Sequence, residues 1–175
     1  MGEQTMTWRQ MTPDDIPDVV RVANHVHPGL PESEAVFAER VELFPEGCFI
    51  LCPQETKGDD EVVAGYAISH PIRHHQPPSL NTLLHQVPPY ADEYYIHDLA
   101  ILPEYRARGY AAEGVKNILA VGERYGSTCL ISVYGTTGFW ERFGFGRQAV
   151  DDGLGDKLRA YGDGAVFMVR EEEGL

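Results

Sequence analysis

The stretch that most restricts the fold is "EYYIHDLAILPEYRARGYAAEGVKNILAVGERYGSTCLISVY", residues 93 to 134. "EYYIHDLAIL" is apolar and rich in β-branched and aromatic residues, which predicts a buried strand. From Gly109 to Tyr125 the pattern becomes helical, with Val115, Ile118, Leu119 and Gly122 on one side. "STCLISVY" then reads as a second strand. A strand, a helix and a strand in succession predict a parallel pair joined by a right-handed crossover, which needs a sheet covered on both faces.

The flanking segments supply that cover. "MTPDDIPDVVRVANHV" opens with Thr12 as a cap, Pro13 at the first helical position and acids in the first turn. Ile16, Val19, Val20 and Ala23 follow at helical spacing, until "HPGLP" breaks the pattern. Ser33 and Glu34 begin a second helix that runs to about Leu43. "CFILC" and "VVAGYAIS" read as a hairpin whose tip is the polar run "PQETKGDDE". Further strands are expected at "TWRQM" and "GAVFMVRE", and a short helix at "TTGFWERF". The expected fold is a single α/β (α+β) domain over residues 1–175, with a central mixed, mostly antiparallel sheet flanked by helices. Residues 71 to 92, rich in Pro and His, form a loop long enough to be functional or mobile.

The net charge of −13 argues against a nucleic-acid or anionic-membrane surface and suits a cationic small molecule. No apolar run has the length of a membrane span, and "MGEQTMTWRQ" is not a signal peptide. Cys48, Cys52 and Cys129 read as reduced core thiols, so a cytoplasmic protein is expected. His70, His74, His75 and His85 match no standard zinc spacing and bring no thiolates, so no metal is expected.

Against that acidity, Arg106 and Arg108 gather at the bend before the crossover helix. A helix start presents unpartnered N–H groups and a positive dipole end, and so favours an anion. Gly109 lets the backbone approach closely, and Ala111 and Ala112 keep the first turn slim. The bend lacks the Walker ending and the dinucleotide glycine spacing. Two readings stay open on spacing alone: a phosphate or pyrophosphate seat, or a tight turn with solvated arginines.

Arg106-x-x-Gly109-x-Ala111 after an apolar strand, with Pro103 before it, resembles the acetyl-CoA motif of the GNAT N-acetyltransferase superfamily. "GFWERFGF", residues 138 to 145, resembles that superfamily's second signature. The likeness runs over about residues 7 to 150 and is strongest in 94 to 145. "YIHDLAI", "MTPDD" and "PESEAVFAERVELFPE" are similar to the arylalkylamine and polyamine branch.

The resemblance implies acetyl-CoA as cosubstrate. Its pyrophosphate would sit on Arg106, Ala107, Arg108, Gly109, Tyr110, Ala111 and Ala112. Its pantetheine arm would lie along Leu99, Ala100 and Ile101, bonded to the backbone at Leu99 and Ile101. It also implies that His97 is a general base acting through water, and that Tyr95, where the branch carries another histidine, borders the substrate together with His97. Trp140 takes the place of the tyrosine that protonates the leaving thiolate, so Tyr134, another tyrosine or water fills that role and Trp140 packs on the arm. Strand alternation predicts Tyr95, His97 and Leu99 on one face and Asp98 on the other. Asp98 is then a partner of the catalytic groups, a cap or a substrate anchor. The alternative for His97 is a satisfied core histidine.

The implied activity is acetyl transfer to a primary amine, an arylalkylamine or polyamine, by direct attack in a ternary complex. No cysteine is placed to carry the acetyl group. "HPGLP" and residues 71 to 92 would shape the acceptor pocket. The alternatives are a non-catalytic acyl-CoA-binding module or an acetyltransferase for protein lysines or N-termini. A monomer or homodimer is expected.

Overall fold

The chain was analysed as a computed structural model, which describes residues 4–54 and 62–172. Most of the expected hairpin tip, and the end of the acidic tail, lie outside the described residues.

Seven strands form one sheet in the order β1-β2-β3-β4-β5-β7-β6. They are β1 (Met6–Gln10), β2 (Cys48–Pro53), β3 (Gly65–Ile72), β4 (Glu93–Ile101), β5 (Ser127–Ser132), β6 (Gly146–Arg147) and β7 (Val166–Glu171). Every pairing is antiparallel except β4 with β5, the pair joined by the crossover. All residues of β2 and β3 are buried, as expected of continuous apolar runs covered on both sides. The helices α1 (Ile16–Val26) and α2 (Glu34–Leu43) cover one face, packing Val19, Val22, Phe37 and Val41 on Ile50, Tyr66 and Ile68. On the other face, α3 (Tyr110–Gly122) sets Val115 and Ile118 against Phe49, Ala67, Tyr94, Ile96 and Leu130.

Two short helices complete the chain, α4 (Thr137–Glu141) and α5 (Asp152–Ala160). Neither α5 nor β6 is foreseen from the sequence. Gly153 and Gly155 weaken the helical signal of "DGLGDKLRA", and the Asp151 side chain, accepting from Leu154 N at 2.8 Å, sets the start instead. Leu154 anchors α5 to Ile72, Tyr95, Cys129 and Phe167. β3 also runs to Ile72, further than expected. All three cysteines are free and buried, and burial pushes the Cys48 thiol up to about 12. Among the described residues no helix is long and apolar enough to cross a membrane.

Two irregularities of β4 position the site. The first is a bulge. Ile68 of β3 faces Asp98 while its neighbour Ser69 faces Ile96, so His97 is an inserted residue. A bulge shifts side-chain alternation by one. The expectation that His97 shares a face with Leu99, and that Asp98 points away, is therefore corrected. Asp98 joins His97 on the α1–α2 face, where it meets Tyr66 and His27, while Leu99 packs on the α3 face.

The second is a splay. The pairing of β4 with β5 ends at Ile96 and Leu130, although both strands continue. Leu102 N donates to Ala64 O at 2.8 Å, so even-numbered backbone groups after the bulge turn to β3. Those of Leu99 and Ile101 therefore turn to the open side.

Candidate active site

The splay opens a cavity of about 760 Å³ bounded by β4, β5, the start of α3, α4 and the segment after α1. One end is built from the bend. Ala107 (φ 62°) and Gly109 (φ 84°) are both left-handed, which turns the chain sharply into α3. Among the described residues no side chain caps the helix, which leaves its first N–H groups available. A Cβ on Gly109 would meet nothing within 4 Å, so it is this residue's backbone conformation that demands glycine. The helix start is clamped to β1: Trp8 Nε1 donates to Tyr110 O at 2.9 Å, and Met6 N donates to the Tyr110 hydroxyl at 3.2 Å. Arg108 lies over the Tyr105 ring, 5.8 Å from its centre.

Arg106 lines the cavity, and its Nε donates to Ile101 O at 2.9 Å. That carbonyl is thus already engaged, which leaves the Ile101 N–H and both backbone groups of Leu99 on the free edge. Ala100 also borders the cavity, but its backbone belongs to the β3 side. Trp140 forms the facing wall, nearly buried between Phe139 and Phe145. A bare strand edge leading to an uncapped helix start fits a long ligand with amides along an arm and a diphosphate at its end.

The other end carries two histidine–carboxylate couples. Glu32, between α1 and α2, bonds His97 Nε2 at 2.6 Å. His97 Nδ1 is buried without a hydrogen-bond partner among the described residues. A proton between Nε2 and the carboxylate makes Nδ1 the basic nitrogen. Burial opposes the charge on Glu32, but His97 and the N–H of Asn81 outweigh it and hold the carboxyl below its ordinary range.

The second couple is His27 Nε2 with Asp98 Oδ1, at 2.9 Å. Tyr66 donates to the other oxygen of Asp98. Burial disfavours a charged His27, yet the Asp98 carboxylate beside it raises the imidazole above its ordinary value. Asp98 is held low by the same pairing, against the effect of its own burial. Tyr134, left-handed at φ 56°, stacks on His27 with ring centres 5.6 Å apart and places its hydroxyl 3.3 Å from Nδ1. Burial and then Asp98 raise the Tyr134 phenol, keeping it protonated at neutral pH.

The structure thus brings His97, Asp98 and Tyr134 to one cavity, but not Tyr95. Expected at the substrate, Tyr95 is fully buried outside the cavity lining. The cause is α5, whose Leu154 covers that part of the sheet. His27, Glu32 and Tyr66 are the site residues that sequence reasoning did not single out. The available signal was the Pro-Gly break between two helices, flanked by a histidine and a glutamate.

The sequence matches the acetyltransferase (GNAT) family over residues 11–145. No curated protein matches the chain. Among solved structures, the chain resembles the NatC complex bound to Gag peptide and CoA, with TM-score 0.70 and 16% identity over 95% of this chain and 98% of that one. The loading GNATL domain of CurA from Lyngbya majuscula gives 0.75 and 12%, over 95% and 98%. A GNAT-like decarboxylase, GphF, in complex with isobutyryl-CoA gives 0.74 and 15%, over 95% and 100%. At such identities the likeness is one of fold. The matched residues include both of the cavity's ends and the splayed strands between them, and the chain belongs to the acetyltransferase (GNAT) family.

Proposed function

We propose that this protein transfers an acetyl group from acetyl-CoA to a small primary amine, an arylalkylamine or polyamine, by direct attack in a ternary complex. One observation carries the reading: a single cavity joins the free edge of β4 and the uncapped start of α3 to both histidine–carboxylate couples. Leu99, Ile101 and the backbone from Ala107 to Ala112 hold the cosubstrate, which supplies the acetyl thioester. Two ionised carboxylates, Glu32 and Asp98, attract an ammonium group, and Val26, Leu30 and Leu80 offer apolar cover to its organic part.

An alkylammonium must lose a proton before it can attack. With a pKa near 10.4, that costs about 4–5 kcal/mol at neutral pH. His97 is oriented by Glu32 and takes the proton on Nδ1 through one water. Tyr134 donates its proton to the leaving thiolate, and His27, kept readily protonated by Asp98, restores it.

The test follows free thiol while the protein is mixed with acetyl-CoA and a panel of arylalkylamines, polyamines and amino-terminal peptides. Release with small amines and little with peptides is the expected result. Tight acetyl-CoA binding without thiol release for any amine would instead make the protein a binding module.

A further inference from the structure

At the opposite end of β4 from the cavity lies a second cluster. Glu93, the first residue of that strand, is fully buried. Its partners are the Ser127 hydroxyl, the backbone N–H of His75 at 2.7 Å, the Cys129 thiol and two imidazoles. His74 Nδ1 is 3.6 Å and His75 Nε2 3.7 Å from the same oxygen, Oε2. Among the described residues no lysine or arginine pairs with this carboxylate. A buried carboxyl is ordinarily hydrogen-bonded, paired with a charge or bound to a metal.

We propose that His74 Nδ1, His75 Nε2 and Glu93 Oε2 bind one divalent cation of the zinc class. One ligand atom from each of the three residues lies within 4.8 Å of those of the other two. Ligands about 2.0–2.2 Å from a tetrahedral ion stand roughly 3.4 Å apart, so the nitrogens and the carboxylate oxygen are near ligand spacing and rotation of one imidazole closes the site. Two imidazoles and a carboxylate are a donor set that suits zinc, with the fourth position left to water.

Part of the cluster is already in place. The two rings lie together, with centres 3.8 Å apart, and both present a nitrogen to Glu93, so that a turn of the exposed His74 ring brings the two lone pairs onto one point. His75 Nε2 is shielded from solvent and has no hydrogen-bond partner among the described residues. The His75 N–H holds Oε1 and the Ser127 hydroxyl donates to Oε2, the oxygen offered to the ion, as outer partners do in metal sites. The sequence expectation of no metal rested on spacing. It missed this set because the third donor lies eighteen residues beyond His75, across the long loop.

The ion would be structural. Glu93 precedes His97 by four strand residues, about 13 Å. His74 N also donates to Asp92 Oδ1 at 2.8 Å, so both roots of the loop over residues 73–92 meet at the cluster. The middle of that loop reaches the acceptor end, where Asn81 N donates to Glu32 at 3.0 Å. The cation would tie the loop at its base and so steady the wall beside Glu32.

The experiment is calorimetric titration of chelator-treated, untagged protein with zinc chloride, paralleled by cobalt(II) absorption. One equivalent binding at micromolar or lower concentration, with visible ligand-field bands for cobalt, is expected. His74→Ala and Glu93→Gln should each weaken zinc by at least about 10–100-fold, since losing even an outer partner costs that much. His85→Ala should change nothing. His74 is exposed, so its variant keeps a native circular dichroism spectrum even if Glu93→Gln does not fold. Absence of binding at tens of micromolar protein overturns the proposal. So does binding that survives in folded His74→Ala, or that disappears in His85→Ala.

Discussion

Replacing Asp98 by Asn removes a charge and leaves the shape of the site nearly unchanged. In the native protein Asp98 holds His27 at 2.9 Å and accepts from Tyr66. The His27 and Asp98 side chains are only 13% and 15% exposed, so screening by solvent is weak. A charge-assisted hydrogen bond of this kind contributes about 1.5–3 kcal/mol. The sign with pH follows from the two shifts. His27 is raised above 6.5, so its share is complete below that value and fades as pH rises through the higher folded pKa. Asp98 is depressed below 3.8, so its share is complete above that value and fades as pH falls through the lower one. The couple is therefore strongest between about pH 4 and 6.5. For a chain of this size 1 kcal/mol moves the melting temperature by about 2–4 °C, so Asp98→Asn should lose roughly 3–12 °C at pH 5.5. The loss should shrink as pH is raised from 5.5 toward 8.5, because the share of charged His27 is lost as pH climbs through its raised folded pKa. Thermal melts of both proteins at the two pH values decide the matter. An equal loss at both would refute the linkage between Asp98 and a charged His27.

Three other outcomes test the site and its frame. If His97 is the base proposed above, His97→Gln should lower kcat/KM for the best amine by about 10²–10⁴-fold while calorimetric acetyl-CoA affinity stays unchanged, because its imidazole lies at the other end of the cavity from the start of α3. Gly109→Ala forces a side chain into φ 84° at a cost of roughly 1–2 kcal/mol, so CoA affinity measured by calorimetry should fall about tenfold, and Gly109→Asn should fall less. Gly114→Ala would put a Cβ 2.7 Å from Trp8 Cζ2; overpacking of about 1–3 kcal/mol should exceed the roughly 1 kcal/mol gained in helix propensity, seen as a lower melting temperature and a changed tryptophan emission.

The fold was legible wherever one physical signal dominated. "CFILC" carries a continuous apolar run because both faces of β2 are covered, "YYIHDLAIL" is apolar on either side of His97 and Asp98, and α1 shows its core stripe at Ile16, Val19 and Ala23. The bend before α3 was legible for a different reason. Arginine, glycine and alanine at a helix start change charge, conformation and bulk together. Where signals compete, the sequence is mute. In α5 two glycines oppose helix formation, and the decisive terms are a cap at Asp151 and one buried contact at Leu154. The two residues of β6 exist because β7 offers them an edge, a cause that lies elsewhere in the chain.

The acceptor end was harder for a structural reason that also explains its chemistry. Alternation along an ideal strand sends His97 and Asp98 to opposite faces, where they could not share a substrate. Inserting His97 as a bulge puts both on the α1–α2 face, each directed at a different partner from the segment after α1: Glu32 for His97 and His27 for Asp98. Both couples therefore depend on one register shift and on one Pro-Gly break, neither of which periodicity reveals. Past the bulge, the alternation that points Leu99 and Ile101 to the open side is reset by the same insertion. The proposed proton acceptor and the edge proposed for the thioester arm are thus fixed relative to each other by a single backbone irregularity. A deletion restoring regular pairing would separate them even if every side chain named above remained.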